Sequence, residues 1–422
     1  MNRSPMIVVS ILCLWFVISF VTNILGPLMP LIVDGFDINY TMAGFLPFSF
    51  FLAYGLVSIP AGALTEQIGP KKTMLLAFTI NLLGAAVFSF FPVYGAALVA
   101  LFLIGMGMAM LQVIINPLMR AAGGEANFAF FSVMGQLVFG LASFVSPFVF
   151  SALMAEIARG DSSSIAQLVT SLTPEGLGWI AFYWLFAVIF LVVILIISQM
   201  NIPRLSVEDD ELSSPVAVYL TLLKRPRVIL FFLGIAAYVG TEQCLANWMS
   251  EFLSVYHGVS PEQEGARTVG LFWGLMSLGC VLGLGLLKIL DSKVVLRAFT
   301  LIAAATLLIT VNGSRETALI AFPLTGFFIS VMFSVIFSLA LNSSPSHHGA
   351  YSGILCSGIF GGALLPLLVG MAGDAFGLKT ALVLLLIPLA FILSISFWAK
   401  PLIANETISL KQLFGDKTKQ TT

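Results

Sequence analysis

The sequence has few charged residues. Asp, Glu, Lys and Arg make up 9% of its 422 residues, whereas they make up about 25% of a typical soluble protein. Hydrophobic residues make up 59%, which excludes an ordinary water-soluble domain and predicts a protein of the lipid bilayer. The net charge of -1 and the absence of a basic stripe also exclude a nucleic-acid partner.

Cysteine and histidine are scarce as well, with four and three residues. The cysteines stand singly in separate apolar runs, with neither metal-ligand spacing nor a disulfide framework: Cys13, Cys244, Cys280 and Cys356. The adjacent His347 and His348 lack a third ligand at helical spacing. No nucleophile with a base, no paired acids and no phosphate-binding glycine loop is present. We therefore expect neither an enzyme nor a cofactor, and no drive by ATP.

Long apolar runs account for most of the chain. A membrane-spanning helix needs about 20 apolar residues, and twelve runs meet this length: 6–32, 41–64, 73–91, 94–119, 127–154, 178–199, 226–256, 266–289, 293–312, 316–341, 349–373 and 378–399. We read the first run as an uncleaved membrane helix. The sequence therefore predicts an all-α integral membrane protein with 12 transmembrane helices in two six-helix halves.

The polar stretch after the sixth run sets the predicted domain boundaries. We predict a first half over 1–200, a cytoplasmic linker over 201–225, a second half over 226–400 and a cytoplasmic tail over 401–422. Of the 19 Lys and Arg residues, only four fall on one side of this topology: Arg159, Arg267, Arg315 and Lys379. Because Lys and Arg concentrate in cytoplasmic loops, we expect a multi-pass inner-membrane protein with both termini in the cytoplasm.

Glu242 lies in the middle of the seventh apolar run. An ionised carboxylate in hydrocarbon costs several kcal/mol, so such acids face a cavity and commonly mark a transport path. Three interpretations are open: a protonated structural group, a proton carrier or a sodium ligand. For sodium, Thr241 and backbone carbonyls near Gly240 would supply further oxygens, if glycine loosens the helix there. Glu251, closer to the end of this run, is expected to be a solvated vestibule charge.

Amide side chains recur inside the predicted helices. Neutral amides bind sugar hydroxyl groups, and an aromatic face packs against the sugar C–H surface. The candidates for substrate binding are Asn23, Gln112, Asn116, Gln136, Gln243 and Asn247, with Trp248 and Trp273 as aromatic platforms. The alternative for each amide is a hydrogen bond between neighbouring helices, contributing about 0.6–2 kcal/mol. This pattern favours a polyhydroxylated substrate over an apolar drug.

The turn after the second run carries a family resemblance. It reads Gly62-Ala-Leu-Thr-Glu66-Gln-Ile-Gly69-Pro-Lys71-Lys and resembles the loop between helices two and three of the major facilitator superfamily. Glu66 stands for the family's Asp there. The resemblance implies two rocking halves, with Gly62, Glu66, Gly69 and Lys71 at a conformational interface. Asp374 follows a similarly spaced glycine on the opposite membrane face and is assigned the same role.

Within the superfamily, the chain is most similar to the fucose–proton symporter family of sugar transporters. The similarity is carried by the segments 111–117, 135–140 and 352–366. Proton-coupled members have acids in helices one and four, where this chain has Phe20 and Gln112. Glu242 is therefore the candidate for cation coupling, and we favour sodium slightly over a proton.

The predicted function is secondary active transport of a monosaccharide or similar polyhydroxylated solute by alternating access. The alternatives are proton-driven drug efflux by antiport and passive sugar facilitation. Beyond the sugar and the bilayer we expect no partner, and we expect a monomer.

Overall fold

The computed structural model describes residues 5–123, 128–158, 167–168, 171–174, 176–200, 202, 216–287, 289–344 and 348–402. Within these residues every regular element is helical. Twelve helical stretches are long and apolar enough to cross a membrane, beginning with Val8–Phe36 and ending with Leu378–Trp398. The prediction of an all-α protein with twelve membrane spans is confirmed. Most of the predicted linker and tail lies outside the described residues, so the domain boundaries stay predictions.

The first half contains six spans formed by seven helices. These are α1 (Pro5–Thr22), α2 (Leu25–Phe36), α3 (Tyr40–Ile68), α4 (Pro70–Phe90), α5 (Tyr94–Gly123), α6 (Phe128–Ala158) and α7 (Ala181–Gln199). The first span is divided between α1 and α2. Each other span is a single helix, and α7 is preceded by a 3-10 turn at Gly178–Ile180.

A short helix, α8 (Val216–Leu223), precedes the second half. The six spans that follow are formed by α9 (Pro226–His257), α10 (Ala266–Leu287), α11 (Ser292–Asn312), α12 (Arg315–Ile329), α13 (Met332–Leu341), α14 (His348–Ser357), α15 (Gly361–Phe376), α16 (Leu378–Val383) and α17 (Leu386–Trp398). The tenth, eleventh and twelfth spans are each divided into two helices.

Three of the four breaks within the spans lie beside the central cavity. The first span is interrupted at Asn23, the tenth at Ser330, and the eleventh by the 3-10 turn Gly358–Phe360. Residues at all three breaks line one central cavity. Irregular backbone inside a membrane protein is tolerated where it borders a cavity or is buried in protein. The breaks therefore position polar groups at the middle of the bundle.

The path of the chain through the twelve spans defines two faces of the bundle. Because the spans number twelve, Pro5 and Trp398 lie on one face, here called the terminal face; the other is the far face. The halves meet at the far face, where α2 packs on α9 and α3 packs on α15. A Cβ atom on Gly26 would lie 2.2 Å from the carbonyl oxygen of Ala246, so glycine is what allows this approach of backbones. The structure is closed at the far face.

Candidate functional site

A central cavity lies between the two halves. It contains about 1450 Å³ of empty space, including its mouth. Leu287, the last residue of α10, lines the cavity, which places the opening toward the terminal face. Both halves contribute polar side chains: Thr22, Asn23, Tyr54, Gln112, Tyr238, Glu242, Gln243, Ser277, Cys280, Ser330 and Ser334. Four of the predicted site residues are thus brought together.

Glu242 projects from α9 into this cavity and is partly exposed. Its carboxylate accepts a 3.2 Å hydrogen bond from Nε2 of Gln243 and another from the hydroxyl group of Tyr238. No Lys or Arg of the described residues pairs with it. The carboxylate therefore borders the cavity, and the hydrogen-bond partners named here are neutral groups.

The oxygens proposed around Glu242 for a sodium ion are not assembled. Helix α9 runs unbroken through Gly240, so the expectation that glycine loosens the helix there is wrong. Gly240 instead provides space for α15: a Cβ atom would lie 2.9 Å from the carbonyl oxygen of Gly361. The hydroxyl group of Thr241 is buried and donates to the carbonyl oxygen of Ala237 at 2.7 Å.

Asn23 lies where α1 ends, at the break in the first span. Its Nδ2 donates to Oγ of Ser143 on α6 at 2.8 Å and to the carbonyl oxygen of Ser19 at 3.3 Å. The side chain also borders the cavity. The amide therefore joins two helices and also faces the cavity, and its role in substrate binding stays a prediction.

Gln243 connects the central cavity with a smaller pocket of about 410 Å³, which Asn247 also lines. Asn247 is buried, and its Nδ2 has no hydrogen-bond partner. Buried amide donors are normally paired, so this one is available to a ligand oxygen. The pocket wall is aromatic, formed in part by Phe50, Phe51, Tyr183 and Phe186.

The two predicted tryptophan platforms lie elsewhere, which corrects their placement at the cavity. The indole Nε1 of Trp248 donates to the carbonyl oxygen of Pro366 at 3.1 Å, and its ring packs edge-on against Tyr40 with centroids 5.6 Å apart. Trp273 is fully buried against Phe272. Neither is among the residues that line the central cavity. Trp248, six residues beyond Glu242, projects from another side of α9, whereas Trp273 lies one helical turn from the cavity-lining Ser277, toward the far face, and is enclosed there.

The structure describes some of the remaining predicted site residues and not others. Gln112 lines the cavity. The structure does not describe the side chains of four predicted residues: Asn116, Gln136, Gly62 and Glu66. Gly69 lies between α3 and α4 with a φ of 84°, a value that favours glycine. Lys71 donates to the carbonyl oxygen of Ser198 at 2.8 Å, so it contacts its own half here.

Asp374 does join the two halves. Its carboxylate accepts hydrogen bonds from the backbone N–H groups of Tyr40 and Thr41, at 2.8 and 2.7 Å. Glu251 also lies at this seam and is only 5% exposed. The expectation that Glu251 is a solvated charge is wrong, because α2 and α3 cover it when the far face is closed.

Seven of the eleven polar groups that line the cavity were not predicted from the sequence, among them Tyr238, Cys280 and Ser330. Tyr238 precedes Glu242 by one helical turn, and residues four apart share a helix face. That spacing was a sufficient signal for Tyr238. Cys280 donates through Sγ to the carbonyl oxygen of Ser330 at 3.3 Å. This contact joins two spans, and no local sequence spacing indicates it.

Comparisons with known proteins identify the relatives of this chain. The family model described as Major Facilitator Superfamily matches residues 11–357. A glucose/galactose transporter of Brucella abortus is 31% identical over 388 residues, covering 91% of each chain. The L-fucose-proton symporter of Escherichia coli strain K12 is 23% identical over 401 residues, covering 89% of each.

Solved structures show the same fold. A bacterial homologue of the human lysosomal transporter Spinster, inward-facing and unoccupied, superposes with a TM-score of 0.77 at 16% identity, covering 94% of this chain and 98% of that one. The Escherichia coli fucose:proton symporter superposes with a TM-score of 0.65 at 22% identity, covering 94% and 99%.

Proposed function

The chain belongs to the major facilitator superfamily, and we propose that it is a secondary active transporter of a monosaccharide or similar small polyhydroxylated solute. Members of this superfamily among its relatives are transporters, not enzymes. Relatives named as glucose/galactose transporters and as L-fucose-proton symporters support the substrate class.

One observation carries the proposal: both halves present neutral polar groups to one cavity at the middle of the bundle. Asn23 and Gln112 come from the first half, and Gln243 comes from the second. Amides offer both donors and acceptors, which matches the hydroxyl groups of a sugar. The aromatic wall beside Asn247 offers a surface for the sugar C–H face.

Transport would proceed by rocking of the halves around this site. The cavity opens toward the terminal face, while α2 and α3 pack against α9 and α15 at the far face. Separation of that seam, with closure at the terminal face, would expose the same site to the other side. We propose that the terminal face is cytoplasmic, because 15 of the 19 Lys and Arg residues fall on that side of the predicted topology.

We assign cation coupling to Glu242 and now favour a proton over sodium. The carboxylate has neutral hydrogen-bonding partners in Tyr238 and Gln243, which can serve either its neutral or its ionised form. Sodium would need several oxygen ligands, and Thr241 and the carbonyls near Gly240 are engaged in a regular helix. Relatives named as proton symporters agree with this choice.

Drug efflux receives less support from the same geometry. It would favour a carboxylate from the first half at the cavity, and the first-half groups lining it in the described structure are amides, hydroxyl groups and apolar side chains. Passive facilitation and symport are distinguished by how sugar uptake responds to an ion gradient.

The test is uptake by proteoliposomes of a panel of radiolabelled sugars, under separate proton and sodium gradients. We expect saturable accumulation of one or more monosaccharides when an inward proton gradient is imposed. Accumulation only with sodium would overturn the proton assignment. Downhill flux without accumulation under either gradient would indicate a facilitator. If no sugar competes but hydrophobic cations do, the sugar proposal is wrong.

A further inference from the structure

Helix α9 carries a second buried acid, Glu251, nine residues beyond Glu242. Nine residues correspond to about 2.5 helical turns, so the two carboxylates project from opposite sides of the helix. Glu242 faces the central cavity, whereas Glu251 is 5% exposed and lies in the seam between the halves. The transport mechanism assigned to Glu242 makes no use of Glu251.

Two residues of the first half act on Glu251. The hydroxyl group of Tyr40, at the start of α3, hydrogen-bonds to the Glu251 carboxylate, and Asp34 of α2 acts on it as a second negative charge. Asp374 and Tyr256 lie around Tyr40 on the side of the second half. The partners that α9 acquires at the closed seam are therefore hydroxyl groups and acids.

Three other acids near this end of the bundle have partners of their own. Glu264 forms an ion pair with Arg315, and Glu262 accepts a hydrogen bond from Ser260. Asp374 accepts its hydrogen bonds from the first turn of α3. Among the described residues, no Lys, Arg or His contributes to the charge environment of Glu251. The enclosed carboxyl group therefore has no cation to balance an ionised form.

An ionised carboxylate that is enclosed without a cation, and on which a second negative charge acts, is strongly disfavoured. A protonated carboxyl group fits the same position, because it can both donate and accept a hydrogen bond. When α2 and α3 separate from α9, solvent at the far face would reach the group, and the ionised form would be hydrated. The protonation of Glu251 and the closure of the seam are thus thermodynamically linked.

We propose that Glu251 is a second proton-binding site, in which closing of the far face takes up one proton from the solvent on that side. The step forms one O–H bond on the carboxylate, and reopening releases the proton to the same solvent. Glu242 meets solvent from the cavity instead, so the two acids sense opposite sides of the bundle. The inference rests on the alternating opening proposed above and is independent of the identity of the substrate.

The test is the distance between two spin labels across the far face, measured at several pH values without sugar. Labels at Val93 and Asn312 lie on exposed positions of the two halves. The full-length protein is used in lipid nanodiscs, with its four native cysteines replaced by Ala. We expect the closed-to-open ratio to rise by about tenfold for each unit of pH lowered, over the range in which one proton is linked.

The Glu251→Gln variant should be closed at every pH, because its side chain is neutral. Glu251→Asp should keep the slope, and so should Glu262→Gln, a matched acid at the same face. Tyr40→Phe keeps the ring and removes the hydroxyl group, so it should change the midpoint pH and retain the slope. A purely structural role would leave the midpoint where it is.

The proposal is overturned if the wild-type ratio does not depend on pH, or if Glu251→Gln keeps the wild-type slope. If Glu251→Gln fails to fold, Tyr40→Phe provides the test instead. A midpoint pH that is unchanged in Tyr40→Phe would then overturn the proposal. The measurement is repeated in the Glu242→Gln background, where the slope should persist. This measurement contains no sugar, so it tests the Glu251 proposal separately from the proposed function. If the pH dependence of the closed-to-open ratio is retained but the protein takes up no sugar, only the substrate assignment is rejected.

Discussion

The carboxylate of Asp374, near the end of α15, accepts a hydrogen bond from the backbone N–H of Tyr40, 2.8 Å away, in the first turn of α3. The N–H of Thr41 donates to the same carboxylate. The first N–H groups of a helix lack partners within the helix and carry partial positive charge. An acid of the second half thus caps a helix of the first half, and we expect this contact to break when the far face opens.

Replacing Asp374 with Asn should weaken this closure. The variant loses the charge and retains an acceptor, so we expect a loss of about 1 kcal/mol, or about fivefold in the closed-to-open ratio. The spin-label pair at Val93 and Asn312 measures this ratio. Glu316→Gln is the matched control, since Glu316 lies in the first turn of α12 and is bonded by Ser314 within its own half. Equal effects of both substitutions would contradict the cap.

Replacing Gly26 with Val should prevent closure and leave the halves folded. A Cβ atom there would lie 2.2 Å from the carbonyl oxygen of Ala246, across the seam between α2 and α9. Gly105 makes an equally close approach to the carbonyl oxygen of Phe50, within the first half. Gly105→Val should therefore lower the yield of folded protein.

Gly95 is the control for these two substitutions, because nothing lies within 4 Å of its Cβ position. Spin-label distances and the thermal stability of the purified protein separate the two effects. If Gly26→Val is as unstable as Gly105→Val and never samples a folded open state, the seam assignment of Gly26 is wrong.

Replacing Gln243 or Asn23 with Ala should weaken sugar binding. Loss of one hydrogen bond from a buried site costs about 1–3 kcal/mol, which corresponds to about 5- to 150-fold in affinity. Equilibrium binding of the transported sugar measures the change, and Asn312→Ala, at the far end of α11, is the control.

Ser143→Ala separates the two interpretations of Asn23, since it removes the helix-joining partner and keeps the amide at the cavity. A loss of affinity in Ser143→Ala as large as that in Asn23→Ala would show that Asn23 acts only by joining helices.

Replacing Glu242 with Gln should abolish proton-driven accumulation and preserve exchange. The amide keeps the size of the side chain but cannot bind and release a proton. Proteoliposomes loaded with unlabelled sugar should still exchange it for labelled sugar in the variant, since exchange needs no net proton movement. This exchange is the internal control for folding. Accumulation at the wild-type level in Glu242→Gln would place coupling elsewhere.

The sequence alone predicted the twelve spans because the length of an apolar run reports membrane crossing directly. It also placed Glu242 at a cavity, since an acid in hydrocarbon has few other stable environments. The positions of Trp248 and Trp273 were not predicted, because a large ring fits equally well against a substrate or against another helix. Only the packing of α9 on α15 decides that Trp248 bonds to Pro366.

The position of Glu251 was not predicted from the sequence either. Its place near the end of an apolar run indicated a solvated charge, and its burial arises from α2 and α3 of the other half. Local spacing gives no sign of this contact between the halves. Residues whose partners lie within one helical turn, such as Tyr238 and Glu242, were predictable, whereas the contact of Glu251 with Tyr40, more than 200 residues away, was not.

Cys280 gives a test of which face the cavity opens to. It lines the cavity, and its Sγ lies 3.3 Å from the carbonyl oxygen of Ser330. A membrane-impermeant methanethiosulfonate reagent should therefore inhibit transport from the terminal face, and a saturating sugar should slow the reaction by occupying the same space.

Cys280→Ala should be resistant to the reagent, which controls for the other thiols, since Cys244 is buried and neither Cys13 nor Cys356 is among the residues lining the cavity. Vesicles of defined orientation distinguish the two faces. Because the mouth of the cavity is at the end of α10, labelling should be fast from the terminal face and slow from the far face. The reverse order would mean that the resting protein opens at the far face. Closure would then depend on contacts at the terminal face, and not on Asp374 and Gly26.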